Sequence, residues 1–304
     1  MRKTLSRDIL VEGVGIHTGE DCKIIVKPSM AGKGIFFSYN DNEDQKGYIP
    51  CFIANVVSTN RCTILGNGKV TISTVEHLLS ALNAFEVTDA ELFIERGSEV
   101  PILDGGGKYF SEQLADQELV EVDEQDVTTI VIDEDMVYTC PDSGAEYQLS
   151  PSDELNYEAV VKYDNEILGH VVATWTWGQD YASNIAPART FSMYSEVLGL
   201  MKRGLIKGGD LSNAVVLVDN GASEEEVKNT IYKHIPDVSD VTIMQNVING
   251  PMYFENEPAR HKILDMIGDF SLLNATIKGT IRAVRPGHTG NINLVRHLID
   301  LFYG

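Results

Sequence analysis

At 304 residues the chain is about twice a typical domain length, so it can bury a substantial core as one large or two smaller domains. Its 43% hydrophobic and 23% charged content is that of a water-soluble globular protein, and no stretch approaches the roughly 18 uninterrupted apolar residues of a membrane span. A formal charge of −21 argues against a polyanion such as nucleic acid as the main partner, because phosphate binding needs a basic surface; a small anionic substrate beside a few gathered Lys and Arg stays open.

The opening run Met1-Arg2-Lys3-Thr4-Leu5-Ser6 has no apolar stretch of the signal-peptide kind, and a cytoplasmic location is expected. Short β-like runs follow at residues 22–26, 34–39 and 69–72, with turns such as Gly66-Asn67-Gly68, and then a helix at 74–85. A strand at 90–95 and a Gly-rich turn entering a second helix within 101–117 come next. The acidic stretch 118–126 breaks this pattern and places a domain boundary near Asp126. The second part repeats the order: strands from 128 to about 177, a break at Ala186-Pro187, a strand at 214–218, an acidic helix at 223–234 and a long helix at 258–274. Strands then helices, twice, predict an α+β protein of two similar layered domains, 1–126 and 127–304. The scattered Cys22, Cys51, Cys62 and Cys140 include no C-x-x-C pair, so reduced thiols are expected rather than a zinc knuckle or a redox dithiol.

On the helix 258–274, Ile263, Met266, Ile267, Phe270 and Leu273 form the apolar stripe, and His261, Asp265 and Asp269 stand at i, i+4 and i+8 on roughly the opposite side. That polar row reads either as a solvated face or as His and Asp reaching one metal. On the helix from Thr74, the stripe Val75, Leu78, Leu79 and Leu82 directs His77 away from the core. Glu76 has two readings: Ser73-Thr74-Val75-Glu76 fits a capping box, and Glu76 beside His77 also fits a base next to a ligand. His288 lies in Arg285-Pro286-Gly287-His288-Thr289-Gly290, whose Pro and Gly predict a loop. Asp104-Gly105-Gly106-Gly107 lacks the spacing of a phosphate loop and predicts a tight turn.

Taken together, Gly13-Val14-Gly15-Ile16-His17-Thr18-Gly19, Ser73-Thr74-Val75-Glu76-His77, Pro101-Ile102-Leu103-Asp104-Gly105, Ala188-Arg189-Thr190-Phe191, residues 204–210, the run from Arg260 to Asp269, and Gly287-His288 resemble the UDP-3-O-acyl-N-acetylglucosamine deacetylases, in family order and over essentially the whole chain. Those enzymes catalyse the committed step of lipid A biosynthesis in Gram-negative bacteria. The resemblance implies Zn²⁺ on His77, His261 and Asp265, with Fe²⁺ a possible occupant in cells. It further implies a general base at Glu76, a cationic His288 oriented by Asp269, an oxyanion-holding hydroxyl at Thr190, and sugar contacts at Phe191 and Lys262. The implied fold is two α/β sandwiches packed through their helical layers, with the active site between them. An insert at about 191–218 is implied to line an acyl passage, with Met193, Val197, Ile206 and Leu211 as apolar walls; spacing alone reads the same segment as an ordinary surface subdomain. In some bacteria the enzyme is fused to a downstream acyl-carrier-protein dehydratase, so a fused partner domain is compatible with the resemblance.

Two readings of other classes compete. Two His and one carboxylate also describe the facial triad of non-haem Fe(II) oxygenases, although those put a short His-x-Asp/Glu run on a β-barrel and this spacing is helical. A non-catalytic nucleotide-sugar or acyl-chain binding module would need no base.

Overall fold

The computed structural model describes residues 1–42, 45–123, 127–163, 169–202, 207–210, 212–219, 221–234 and 241–303. The expected boundary near Asp126 and two expected passage walls, Ile206 and Leu211, lie outside the described residues.

In the first part, strands Ile9–Val14, Asp21–Pro28, Ile35–Asn42, Gln45–Pro50 and Ala90–Arg96 form one sheet in which the last strand lies centrally, between the second and third. It runs antiparallel to Asp21–Pro28 and parallel to Ile35–Asn42. Period-two burial explains the sheet's single packed face: Cys22, Ile24 and Val26 point inward between more exposed neighbours. Helix α1 (Glu76–Ala84) precedes the central strand, and helix α2 (Lys108–Ala115) follows it. The strand Arg2–Thr4 pairs with Val120–Asp123, and Arg2 Nε reaches the buried Asp89 Oδ2 at 2.8 Å.

The second part has the same plan. Strands Met136–Thr139, Glu146–Ser150, Leu155–Lys162 and His170–Thr176 are joined by Thr276–Val284, again central, antiparallel to the second strand and parallel to the third. Short helix α3 (Tyr181–Asn184), α4 (Tyr194–Lys202) and α5 (Glu224–His234) come before the long α6 (Glu257–Ser271), and α7 (His288–Tyr303) follows the central strand. Among the described residues no helix is long and apolar enough to cross a membrane.

Helix α1 packs along α6, and buried apolar residues of both parts, including Leu78, Leu79, Ile263 and Ile267, belong to one contiguous cluster. Gly268 makes the approach possible: a Cβ there would lie 2.1 Å from the carbonyl oxygen of Glu76.

Several local expectations are corrected. The helix expected at 74–85 begins at Glu76, and no side-chain hydrogen bond caps it. Ser73 is engaged by the edge of a strand, its N–H bonding Ser98 O and its carbonyl accepting from Val100 N–H, while Thr74 turns the chain at φ 58°. The capping box at 73–76 therefore does not form. A reciprocal box occurs instead at Ser223 and Glu226, opening α5. His288, expected in a loop, opens α7. The acyl-passage insert expected at 191–218 is part of a longer unit, because Thr190–Met193 pairs with Ala214–Leu217, which pairs in turn with Val247–Ile248. That unit has its own buried cluster, including Tyr194, Val216, Val227 and Ile231.

The Gly-rich run is a tight turn, as expected, and it joins the two parts. Gly105 sits at φ 84°, where a Cβ would meet Asn213 O at 1.7 Å. Its carbonyl accepts from Thr190 N–H at 2.7 Å.

Candidate metal centre and active site

On α6, His261 and Asp265 are one turn apart, and His77 reaches them from the first turn of α1. All three are buried, as is Asp269, so the polar row of α6 is not a solvated face. It is covered because α1 crosses it at Gly268. His261 Nε2 lies 3.4 Å and His77 Nε2 3.9 Å from Asp265 Oδ1. One ligand atom from each residue lies within 4.8 Å of the others. The opposite ring nitrogen of His261 donates to Ala188 O at 3.0 Å, a bond that leaves the Nε2 lone pair facing the cluster. Among the described residues, Asp265 Oδ1 and His77 Nδ1 are buried and have no hydrogen-bond partner. A buried, unsatisfied carboxylate oxygen flanked by two imidazoles fits a divalent cation.

Protonation suits the same occupant. Burial, then His261, lowers His77 to about 3, and burial also lowers His261. Burial opposes the Asp265 carboxylate, yet Lys262 and the surrounding histidines hold it well below the usual carboxylate range. At neutral pH the cluster is two neutral imidazoles and one carboxylate, the form that binds metal.

Glu76 precedes His77 and points to the neighbouring side of the site. Its Oε2 accepts the backbone N–H of Thr63 at 3.0 Å, and its Oε1 lies 3.7 Å from His288 Nε2. Burial raises its pKa to about 7, with His288 working against the shift and Asp269 reinforcing it. His288 Nδ1 donates to Asp269 Oδ2 at 2.9 Å. Burial opposes the imidazolium, but Asp269, Glu76 and Asp265 raise it to about 10. Asp269 is itself held by Thr63 Oγ1 at 2.5 Å and Asn291 Nδ2 at 2.8 Å, and Asn291 Oδ1 accepts from Tyr147 at 2.7 Å.

Glu76, His288 and the His77–His261–Asp265 cluster open onto a cavity of about 290 Å³. Thr190, Phe191, Lys262 and Val197 line it together with Glu76, His77 and His288. Lys262 Nζ donates to Asp265 Oδ2 at 2.8 Å and lies 5.2 Å from the Phe191 ring centroid. Met193 is placed elsewhere: it packs with Val215, Leu217 and Val247 beneath the small sheet. Met193 is therefore not among the residues lining this cavity.

Reading the residues alone missed Thr63, Asn291 and Tyr147, which hold Glu76 and Asp269 in place without any local pattern to mark them. It also left without a role Arg61, Ser192 and Leu200, which line the cavity, and His17, whose glycine-rich motif was the available signal. Ser192 Oγ is buried there with no hydrogen-bond partner among the described residues.

The profile of the UDP-3-O-acyl N-acetylglycosamine deacetylase family, LpxC, matches residues 2–234 and 237–300. The chain belongs to this family. It is 35% identical over 300 residues to the UDP-3-O-acyl-N-acetylglucosamine deacetylase of Aquifex aeolicus, covering 98% of this chain and 93% of that one. Identity is 33% over 301 residues to the deacetylase of the same name from Chlamydia trachomatis serovar D, covering 98% and 95%. The bifunctional enzyme LpxC/FabZ of Chlorobaculum tepidum is 36% identical over 300 residues, and 98% of this chain spans 64% of that relative's length. The chain thus spans less than two thirds of the bifunctional LpxC relatives it matches. The expected α+β class and the family resemblance are both borne out.

Proposed function

We propose that this chain hydrolyses the N-acetyl group of UDP-3-O-acyl-N-acetylglucosamine, releasing acetate, as a cytoplasmic zinc-dependent amide hydrolase of lipid A biosynthesis. The observation that carries the reading is the unsatisfied, buried His77–His261–Asp265 cluster with the raised carboxyl of Glu76 beside it. Zn²⁺ held by the three side chains supplies Lewis acidity toward water and the amide carbonyl. Glu76 accepts the proton of the attacking water, which its pKa near neutrality suits. The Thr190 hydroxyl donates to the oxyanion that develops on the former carbonyl oxygen. His288, kept cationic and aligned by Asp269, places positive charge beside the departing amine, and the proton taken up by Glu76 passes to that nitrogen as its C–N bond breaks. Thr63 restrains Glu76 through one oxygen, which leaves the other free for the proton.

We read the chain as two units, 1–126 and 127–304, that meet along α1 and α6 and share the site. Phe191, Val197, Leu200 and Val216 supply the apolar side of the cavity and suit the substrate's acyl chain. Each buried methylene contributes up to about 0.8 kcal/mol. Val197→Trp is therefore expected to raise KM steeply for a long-chain substrate and hardly to alter turnover of one lacking the acyl chain; equal effects on both would move the passage elsewhere. The bifunctional relatives suggest a fused dehydratase partner in some natural contexts.

The deciding experiment is acetate release from the UDP-linked acylated sugar, lost on chelation and restored by Zn²⁺. Two His and one carboxylate also accept Fe²⁺, so metal analysis of protein isolated without oxygen identifies the resident ion. Absence of acetate release from fully metallated protein would remove the hydrolase reading.

A further inference from the structure

Arg189 and Glu257 are both buried, although no step of the proposed reaction uses them. Glu257 Oε1 accepts from Arg189 Nε at 2.9 Å and from the Arg189 backbone N–H at 3.0 Å. Its Oε2 accepts from the Tyr253 backbone N–H at 2.7 Å and from Arg189 Nη2 at 3.3 Å. The guanidinium also donates to Pro251 O at 3.2 Å and lies 4.0 Å from the Tyr253 ring centroid. A buried ion pair is weak grounds for a stability role, because desolvation can offset the attraction. This carboxylate, however, also takes two backbone N–H groups, so it fastens chain positions to one another as well as charges.

What it fastens matters for the metal centre. Glu257 is the first residue of α6, one turn before His261. Arg189 stands between Ala188, whose carbonyl accepts from His261 Nδ1, and Thr190, whose side chain lines the cavity. One carboxylate therefore makes the Arg189–Glu257 pair a bracket that ties the start of the ligand-bearing helix to the segment that orients one of its ligands.

We propose that Arg189 and Glu257 are positioning residues for the metal centre. The pair holds Ala188 O against His261 Nδ1, keeping the His261 Nε2 lone pair on the metal side, and sets Thr190 at the cavity wall. The inference rests on the metal reading above and adds to it residues that touch neither metal nor substrate.

The test measures zinc affinity of the apoprotein by chelator competition, with the absorption spectrum of the Co²⁺-substituted protein and thermal unfolding followed in parallel. Three variants are compared with the parent: Glu257→Gln; the double variant Arg189→Met, Glu257→Met; and Asp89→Asn, which disturbs the remote Arg2–Asp89 pair. Apolar replacement of both members of a buried pair is commonly tolerated by the fold. The two bracket variants should bind zinc about 10- to 100-fold more weakly, as expected when a ligand's orienting partner is disturbed, and should shift the Co²⁺ bands. Asp89→Asn should lower Tm with zinc affinity unchanged. Bracket variants that lose Tm but keep the parent's zinc affinity and Co²⁺ spectrum would overturn the proposal, leaving the metal reading intact. Failure of both bracket variants to fold would make the pair a requirement of the fold and would equally overturn it. A parent that takes up no zinc would overturn the metal reading and the bracket with it.

Discussion

In the proposed reaction Glu76 and His77, neighbours in the chain, have different tasks, and variants separate them. His77→Ala and Asp265→Ala should lose bound zinc, because each removes one of three ligands, whereas Glu76→Ala should keep it. Activity should nearly vanish in all three, with kcat of Glu76→Ala lowered by about 10²- to 10⁴-fold, the usual contribution of a positioned acid or base. Full activity in Glu76→Ala would end its role as base. The pH dependence follows from the same carboxylate and from His288. Glu76, raised by burial to about 7, must lose its proton, so kcat/KM should rise as pH passes through that region. His288, raised to about 10 by Asp269, Glu76 and Asp265 against the effect of burial, must keep its proton, so kcat/KM should fall as pH passes upward through its pKa. The limbs belong to the coupled pair and not to either residue alone. In His288→Gln the alkaline limb should disappear. The acid limb should also move to higher pH, because Glu76 loses a cation that favours its ionised form. An unchanged profile in that variant, recorded between pH 5 and about 10, would dismiss His288 as the titrating cation.

At the scale of elements, the site depends on how closely α1 can lie on α6. Gly268 leaves no space for a side chain: the nearest contact of an added Cβ would be the Glu76 carbonyl, which is backbone and cannot rotate away. Gly268→Ala should therefore push the helices apart, at a cost of about 1–3 kcal/mol typical of overpacking, measured by urea denaturation. Because His77 is on one helix and His261 and Asp265 are on the other, zinc affinity should fall with it. Loss of stability with undiminished zinc binding would mean that the helices adjust without changing the ligand geometry. Ser73 and Ser223 illustrate why the chain pattern alone could not decide at this scale. Ser73 and Ser223 each precede a Glu three residues on, but Ser73 is already held by residues 98–100, so only Ser223 is free to cap.

For the whole molecule, one contiguous apolar cluster runs through both parts even though each has its own sheet. Both tryptophans, Trp175 and Trp177, lie in the second part. Leu79, buried on α1, lies in the first. Leu79→Ala should cost about 2–5 kcal/mol, as large-to-small core changes do. Tryptophan fluorescence and far-UV circular dichroism should both report the earlier unfolding, at one midpoint. A fluorescence midpoint that stays where the parent's lies would show that the two parts unfold independently. Much of this arrangement was legible in the chain itself. The alternation of Cys22, Ile24 and Val26 determined a one-faced strand, and the helical spacing of His261 and Asp265 determined that both could reach one ion, because backbone geometry alone fixes which side chains share a face. The order of strands and helices, repeated, determined the α+β class. Only the tertiary structure decided that the polar row of α6 is covered, that Glu76 faces His288 and not Ser73, and that Arg189 pairs with Glu257 at the start of α6. Those outcomes depend on residues far apart in the chain, 77 with 261 and 63 with 269, meeting where two helices cross. Local periodicity sets the direction in which a side chain leaves its own helix, but which partner waits there is settled by the packing of the other helix against it.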